Sequence, residues 1–369
     1  MKSSPARATT LLPAKGTLMT IRGFHLGQRF AAIFLALFVF ALLPQRSHAQ
    51  TELVVTDYGG SFEDGWRKSV VEPFERAHPD IKIKLVQKLV FESMALMRAQ
   101  KDDVKIDVFM MDEVGAAQAA AEGLVQPISV KTVPHLAELY PAFRVPGDSF
   151  AKFMFDASVI AYNTQQVSPA PQSYKDFWNP NYSGRIAINN LDSATGLSFF
   201  LMLLKTEGAT MDHTDPAFAA MKKLKPAIVT FPEQHAQLAQ LFTQGDIVMA
   251  PWTSDRTLLL ASKGIPIAFV IPKEGGIIQE GGLVIAKGTR KLQAAQLYVN
   301  FALSVEAQAA NAKFTFLSPT NSKVVLDPQT AAKIPNGLNA IKALTHPDWK
   351  KANELRPQWI DRWNREVTQ

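Results

Sequence analysis

Residues 52–58 read ELVVTDY and set the pattern on which the fold depends. Apolar and polar residues alternate along this stretch and several are β-branched, which predicts a half-buried strand. Gly59-Gly60 then turns the chain, and Ser61 with Asp64 three residues later forms a capping box that predicts the start of a helix. A strand that leads through a tight turn into a helix is the first unit of an α/β fold.

The alternation of strand and helix continues along the chain. Residues 81–86 (IKIKLV) predict a second strand, and residues 106–111 (IDVFMM) form a continuous apolar run typical of a buried parallel strand. After a strand-rich connector at residues 152–163, the pattern restarts at residues 185–189 (RIAIN). We therefore predict two α/β series with mostly parallel sheets, helices on both faces and a ligand cleft between two lobes.

The first 49 residues are predicted to be a secretory signal peptide. They carry six basic residues and no acidic one, and residues 30–43 (FAAIFLALFVFALL) form an apolar run that ends at Pro44. The run is shorter than the ~20 residues that span a bilayer, and cleavage is expected after Ala49. An uncleaved membrane anchor is the alternative, and Met19 is a second candidate for the start of translation.

Removal of this leader changes the charge of the protein. The full chain has 39 Lys and Arg residues against 33 Asp and Glu residues, a net charge of +6. The whole excess lies in the leader, so residues 50–369 are neutral and no nucleic-acid partner is predicted. The chain has no cysteine, which excludes disulfides, thiolate metal sites and a lipid-modified export signal. We expect a soluble protein of the periplasm, exported through the signal peptide.

Motifs for catalysis and cofactor binding are missing from the sequence. The histidines after residue 49 show no metal-ligand spacing such as HExxH, and the chain lacks GxGxxG, GxxxxGK[ST] and GxSxG. The sequence therefore predicts no catalytic residue, no cofactor and no metal site. An enzyme whose catalytic groups meet only in space remains an alternative.

Three segments share their order and spacing with one known family. Residues 174–189 read YKDFWNPNYSGRIAIN, and residues 246–286 contain a strand ending in Trp252, then GIPIAFVIPKEGG and a return strand. Residues 314–321 (FTFLSPTN) form a closing turn. Together with the signal peptide, these segments resemble the periplasmic spermidine/putrescine-binding protein family, the extracellular solute-binding proteins of ABC importers. The resemblance covers residues 50–369.

The resemblance implies a type II-like periplasmic-binding-protein fold, in which each lobe is a mixed sheet flanked by helices. Lobe 1 is expected at residues 50–155 plus 280–322, and lobe 2 at residues 156–279 plus 323–369. The ligand binds between the lobes and stabilises the closed form, which ABC permease membrane subunits recognise. The resemblance implies a monomer that binds its solute and is not an enzyme.

The family binds a small organic cation or zwitterion, polyamine-like such as putrescine or spermidine, between aromatic walls and carboxylates. Tyr58 falls where the family has an aromatic residue after its first strand, and Trp252 matches the aromatic after a late strand. The family's Trp-x-Asp triplet is replaced by Gln279-Glu280-Gly281. An amino acid, a betaine or a thiamine-like cation is therefore an alternative ligand, as is ferric ion, although the chain has no adjacent tyrosine pair.

Other polar residues are candidates to replace the missing carboxylate. Asp112-Glu113 and Asp255-Arg256 each either face the cleft or form a local charged group at a helix start. Ser193 and Thr195 either contact ligand or cap a helix. The tryptophans of the C-terminal tail are expected to clamp the lobes: Trp349, Trp359 and Trp363. The predicted ligand-binding residues are Tyr58, Gly59, Asp112, Glu113, Asp192, Ser193, Thr195, Trp252, Asp255, Arg256 and Glu280.

Overall fold

The computed structural model describes residues 50–369, so the predicted signal peptide lies outside the described residues. Strands and helices follow one another along this range, as the sequence predicts. The strands are β1 (Thr51–Asp57), β2 (Ile81–Gln87), β3 (Val108–Asp112), β4 (Ala151–Asn163), β5 (Ile186–Ala187), β6 (Ile228–Thr230), β7 (Met249–Thr253), β8 (Ile267–Val270), β9 (Ile277–Ile285) and β10 (Ser318–Pro319).

The helices cover both faces of the strands. They are α1 (Gly60–Trp66), α2 (Glu72–Ala77), α3 (Val90–Ala99), α4 (Glu113–Ala121), α5 (Ala194–Thr206), α6 (Asp215–Leu224), α7 (His235–Gln244), α8 (Ser254–Ser262), α9 (Leu292–Ala302), α10 (Val305–Thr315), α11 (Pro328–Ala331), α12 (Gly337–Ala343) and α13 (Trp349–Trp363). A π-helical segment, Arg67–Val71, joins α1 to α2, and another, Asn364–Thr368, follows α13. Among residues 50–369, none of the helices combines the length and apolar character that crossing a bilayer requires.

The strands form one ten-stranded mixed sheet whose main path has the order β2-β1-β3-β9-β4-β7-β5-β6. Strand β1 is parallel to β2 and β3, and β5 is parallel to β6 and β7. Every pair that involves β4 or β9 is antiparallel, including the pairs of β4 with β8 and β10. The prediction of a mostly parallel sheet was therefore wrong for the centre, because β4 and β9 run back between two parallel groups.

The first parallel group has a hydrophobic layer on each face. In β3, Val108 and Met110 face a core that includes residues of α1, α2, α9 and α10. The alternate residues, Phe109 and Met111, face a second layer with residues of α3 and α4. A strand buried on both faces reads as a continuous apolar run, which is why residues 106–111 predict one.

The second parallel group repeats this arrangement. Ile186 of β5 packs in a core with α5, α6 and α13, whereas Ala187 packs on the other face with α7 and α8. Each group is therefore a sheet between two helical layers, the architecture expected when parallel strands are connected by helices.

Strands β4 and β9 contribute to both halves. Val159 of β4 lies in the first core, whereas the next residue, Ile160, lies in the second. In β9, Ile277 lies in the second core and Ile278 in the first. The backbone therefore passes from one half to the other within two hydrogen-bonded strands.

The chain passes between the halves a third time near the end of α12. Ile341 and Leu344 lie in the first core, and α13 packs in the second. Between them, Thr345 N–H donates to Gly276 O at 2.8 Å and Thr345 O accepts from Ile278 N–H at 3.1 Å. We propose that the last lobe boundary lies after Leu344, later than the expected boundary at residue 322.

The first helix begins differently from the capping-box prediction. Its N-cap residue is Gly59, which has φ of 69° and makes no side-chain hydrogen bond. Asp57 holds the turn, because its Oδ1 accepts a hydrogen bond from Gly59 N–H at 2.6 Å. A Cβ at Gly59 would lie 2.3 Å from Gln87 Cδ, so both the backbone angle and the packing favour glycine.

One buried hydrogen bond joins distant parts of the first core. Trp66 Nε1 donates to the Tyr298 hydroxyl at 2.8 Å, and both side chains are at most 1% exposed. Replacement of Tyr298 by Phe should lower the free energy of unfolding by about 1–3 kcal/mol, because the buried indole N–H then has no acceptor. Urea denaturation measures this loss.

The matched control is Tyr140→Phe. Tyr140 packs against the same core, and within residues 50–369 its hydroxyl makes no hydrogen bond. We expect its free energy of unfolding to change by less than about 0.5 kcal/mol. Equal losses in the two variants would show that the Trp66–Tyr298 hydrogen bond contributes nothing specific.

Candidate functional site

Polar side chains gather where the two halves meet. Tyr58 and Asp112 lie at the carboxyl ends of β1 and β3, and Asp255 and Arg256 lie in the first turn of α8. The Tyr58 hydroxyl is close enough to Asp112, Asp156 and Arg256 to experience their charges. These strand ends are where open α/β sheets bind ligands. The structure thus brings together residues that are far apart in the sequence.

A cavity of about 40 Å³ lies next to Asp112, one of these residues, whereas Tyr58, Asp255 and Arg256 do not line it. It has room for about three water molecules. A larger solute can enter only after side chains or lobes move apart. Its walls come from the start of α4, the start of α5, strand β9 and one face of α13, through residues Asp112, Glu113, Val114, Ala194, Leu197, Gln279, Glu280, Trp349, Asn353 and Arg356.

Lys152 joins two carboxylates beside the cavity. Its Nζ lies 2.5 Å from Glu113 Oε1 and 2.9 Å from Glu280 Oε2. Burial, with the hydrogen bond and negative charge of Glu113, raises the pKa of Glu280 to about 8. Against the effect of burial, the hydrogen bond with Glu280 and the Lys152 charge lower the pKa of Glu113. At neutral pH Glu113 is therefore ionised and Glu280 holds a proton.

Glu280 has one oxygen that is not used by this cluster. Its side chain is 3% exposed, and among the described residues its Oε1 has no hydrogen-bond partner. A buried carboxyl oxygen without a partner loses the free energy that water would otherwise provide. Glu280, predicted from the sequence, thus presents an unsatisfied acceptor next to the cavity.

A second charged group lies where β4 meets α8. Burial, followed by the charge and hydrogen bond of Asp255, raises the pKa of Asp156 well above its usual value. Arg256 Nε lies 3.5 Å from Asp255 Oδ2, and the Thr253 hydroxyl donates to Asp255 Oδ1 at 2.6 Å. The raised pKa disfavours the ionised form of Asp156, and the Arg256 guanidinium lies next to the Asp255 carboxylate.

Tyr58 and Asp112 lie at the ends of their strands, and each also has a role in packing or in capping a helix. The Tyr58 ring packs edge-on against Phe62, with centroids 5.1 Å apart, and burial raises the pKa of its hydroxyl well above the usual value. The hydroxyl is therefore a neutral donor at physiological pH. Asp112 caps α4 by accepting from Gly115 N–H at 2.7 Å, and burial raises its pKa. It is a helix cap and also lines the cavity.

Trp252 lies in a hydrophobic core and not in the cavity. It is 1% exposed and stacks on Phe242 with centroids 5.9 Å apart. Its Nε1 lies 2.9 Å from His235 Nδ1, and burial lowers the pKa of His235 to about 4, so a neutral imidazole accepts the hydrogen bond. Because Trp252 is buried and does not line the cavity, we propose that it supports the wall of the cleft without touching the ligand.

The segment after β5 caps α5. Ser193 Oγ accepts from Gly196 N–H at 3.0 Å and donates to Asn190 O at 2.7 Å, which is the geometry of an N-cap. Thr195 is 3% exposed, and Asp192 is exposed at the rim. These predicted residues therefore shape the start of α5, and only the backbone of Asp192 contacts a residue that lines the cavity, through its carbonyl oxygen.

Helix α13 contributes cavity residues that were not predicted to contact ligand: Trp349 was expected to clamp the lobes, and Asn353 and Arg356 were not singled out. Trp349, Asn353 and Arg356 line the cavity, and their spacing of four and three residues places them on one face of the helix. Trp359 and Trp363 are buried in the second core instead. An amphipathic helix commonly has an arginine on a different face from its buried tryptophans. The sequence therefore gave only a weak indication that Arg356 lines a cavity.

Lys152 and Asp156 were also missed, although a signal was present. Both interrupt the apolar run of β4, and both are less than 10% exposed. Charged residues are seldom buried unless they have a partner. A charge within a buried strand is therefore evidence for a polar site at that point of the sheet.

Other parts of the described chain offer less chemistry. A larger cavity of about 240 Å³ opens at the opposite end of β3, with apolar residues such as Met97 and Phe109 and charged residues such as Glu122 in its lining, but it contains no predicted site residue. Across residues 50–369, no cluster of His, Cys, Asp and Glu side chains could hold a metal ion. The smaller cavity, with its converging charges, is the candidate site.

Both the sequence and the fold have known relatives. The family model of bacterial extracellular solute-binding proteins matches residues 69–336. The gamma-aminobutyric acid-binding protein of Pseudomonas aeruginosa is 25% identical over 353 residues, which cover 91% of this chain and 97% of that protein. The spermidine/putrescine-binding periplasmic protein of Escherichia coli is 27% identical over 193 residues, covering 49% of this chain and 54% of that protein.

Solved structures share the fold. An ABC transporter substrate-binding protein from Bradyrhizobium japonicum matches with a TM-score of 0.74 and 23% identity, over 85% of this chain and 99% of that protein. At this level of identity the likeness extends to the fold alone.

The buried carboxyl of Glu280 predicts a pH dependence of stability. Its pKa rises from 4.5 to about 8 on folding, so between these values the folded protein binds more protons than the unfolded chain. The free energy of unfolding contributed by this group therefore falls as the pH rises through that window. Glu280→Gln keeps the shape and removes the titration. Between pH 5 and 8.5 we expect the wild type to lose at least about 1 kcal/mol more than the variant.

Urea denaturation at several pH values measures this difference. Glu354→Gln is the control, because Glu354 is an exposed residue of α13 and should leave the pH profile of the wild type unchanged. Parallel profiles for the wild type and Glu280→Gln would contradict the raised pKa.

Proposed function

This chain belongs to the bacterial extracellular solute-binding proteins, and we propose that it captures a small zwitterion of the 4-aminobutyrate class, with an ammonium group and a carboxylate at opposite ends. It is the solute-binding component of an ABC transporter, has the two-lobe α/β fold of periplasmic binding proteins and works in the periplasm or as a secreted protein. It binds its solute and is not an enzyme. The sequence resemblance is confirmed at the level of this family.

The balance of charges in the cleft is the observation that supports a zwitterion. Three cations lie in or beside the cleft: Lys152, Arg256 and Arg356. Carboxyl groups oppose them from Asp112, Glu113, Asp156 and Asp255, and burial with the charge of Asp255 raises the pKa of Asp156 well above its usual value, which disfavours its ionised form. Glu280 is largely protonated at neutral pH, and the carboxylate of Asp192 is exposed and screened by solvent.

A ligand without net charge preserves this balance. A polyamine brings several positive charges and no negative one, so it would leave excess positive charge in a buried site. A zwitterion pairs its ammonium with a carboxylate and its carboxylate with an arginine, both by charge-assisted hydrogen bonds. The methylene chain between its ends suits the apolar surface that Leu197 and Trp349 provide to the cavity.

Lobe closure follows from where the ligand groups lie. Asp112 and Glu113 belong to the first half, and Asp255 and Arg256 to the second, with β4 and β9 passing between them. Only a closed arrangement lets one solute contact both sets. The solute therefore shifts the equilibrium towards closure, and the closed form is the one that delivers it to the permease subunits.

A polyamine is the second candidate. Carboxyl groups from both halves converge here, as a ligand with several ammonium groups requires, and one relative is named for spermidine and putrescine. The three cations count against it. In the sequence, the loss of the family's Trp-x-Asp triplet at residues 279–281 points the same way.

A solute panel tests the proposal. Isothermal titration calorimetry and thermal shifts are measured with 4-aminobutyrate, 5-aminovalerate, glycine betaine, putrescine and spermidine. We expect the ω-amino acids to bind with micromolar or tighter affinity and to raise the melting temperature by mass action. Tight binding of putrescine with no response to any amino acid would refute the zwitterion proposal and favour the second candidate.

Neutralisation of the Arg256 charge gives a second test of the same proposal. Arg256→Gln leaves the cleft with excess negative charge, so the ratio of 4-aminobutyrate affinity to putrescine affinity should fall by at least about tenfold. Arg290→Gln removes an exposed arginine outside the cleft and should leave this ratio unchanged. An unchanged ratio in Arg256→Gln would mean that cleft charge does not select the solute.

A further inference from the structure

One cation of the cleft differs from the others in its partners. Lys152 and Arg256 each have a carboxylate oxygen within 4 Å. Arg356 has no such ion pair among the described residues, and its recorded hydrogen bond runs from Nη2 to the backbone oxygen of Asp192. Its Nε is buried and, within residues 50–369, without an acceptor.

The surroundings of Arg356 maintain this state. Burial lowers its pKa, and the charges of Asp192 and Asp112 act in the opposite direction without either carboxylate bonding to it. The Asp112 carboxylate is already bound to the start of α4, and that of Asp192 is exposed at the rim. The guanidinium is therefore a donor group whose buried Nε lacks an acceptor among the described residues.

Another wall of the same cavity carries an acceptor that, within residues 50–369, lacks a hydrogen-bond donor. Glu280 Oε1 is buried and lacks a hydrogen-bond donor among the described residues. Arg356 and Glu280 both line the cavity, one on α13 and the other on β9. A cavity that holds an unsatisfied donor and an unsatisfied acceptor is complementary to a solute with both an acid and an amine.

We infer that Arg356 is the anchor for the solute's carboxylate and that the solute's ammonium group donates a hydrogen bond to Glu280 Oε1, beside the Glu113 carboxylate. This assignment rests on the proposed zwitterionic solute, and it adds the orientation in which that solute lies. Arg356 binds the carboxylate through Nε and a second guanidinium N–H, a planar arrangement that lysine cannot reproduce. The C-terminal helix thus selects acids over amines.

The position of α13 suits this role. Ala352, Trp359 and Trp363 fix the helix in the second core, so its backbone is held rigidly. Arg356 itself is held by a contact to one carbonyl oxygen, so its side chain can turn towards an incoming carboxylate. The 40 Å³ cavity must widen for the solute, and movement of this side chain contributes to the opening.

The test compares an acid with its own amide. 4-Aminobutanamide keeps the ammonium group and chain of 4-aminobutyrate and lacks only the negative charge. In the wild type we expect the acid to bind at least about 30-fold more tightly than the amide, and Arg356→Gln should remove most of this preference by weakening the acid alone. Arg356→Lys should recover part of it, because the charge remains and the paired hydrogen bonds do not.

Arg365→Gln is the matched control, since Arg365 is exposed and follows α13 directly. Melting curves confirm that each variant folds. Equal weakening of acid and amide in Arg356→Gln would overturn the assignment and indicate a packing role. Unchanged acid binding in Arg356→Gln would also overturn it while leaving the zwitterion proposal intact. A wild type that binds putrescine and no ω-amino acid would refute both.

Discussion

The antiparallel pairing of β4 with β9 is the constraint on which the rest of the molecule depends. The register runs from Ala151 opposite Leu283 to Ser158 opposite Ile277, and each strand continues into a different set of neighbours. Backbone hydrogen bonds therefore fix the position of both halves at their junction, even though each half has its own hydrophobic layers.

The same junction explains why so many charges are buried near one another. Asp156 and Glu280 lie on the crossing strands, where both lobes shield them from water, and each shares a proton or hydrogen bond with a neighbouring carboxyl group. Isolated charges at such depth would destabilise the fold by several kcal/mol. Pairing lowers this cost without abolishing it. Glu280 Oε1 and Arg356 Nε still lack hydrogen-bond partners among the described residues.

Local patterns in the sequence predicted most of the fold, and some residues that the sequence singled out line the cavity. Periodicity and strand-end position correctly placed the α/β units, and Asp112, Glu113 and Glu280 line the cavity. The central antiparallel pairs were not predictable, because strand direction depends on contacts between residues more than 100 positions apart. Trp252 follows a strand and still packs inward, since α7 supplies a stacking partner that no local pattern reveals. Arg356 depends on how α13 docks.

Helix α13 also separates two demands that evolution places on this chain. One face of the helix is committed to the interior of the second core, while Trp349, Asn353 and Arg356 form part of the cleft wall. Substitutions at those three positions would alter the wall of the cavity without changing the hydrogen bonds between β4 and β9. The residues of this helix face can therefore vary while the architecture stays constant. This fits relatives of about one-quarter identity that are named for different solutes, gamma-aminobutyric acid in one case and spermidine and putrescine in another.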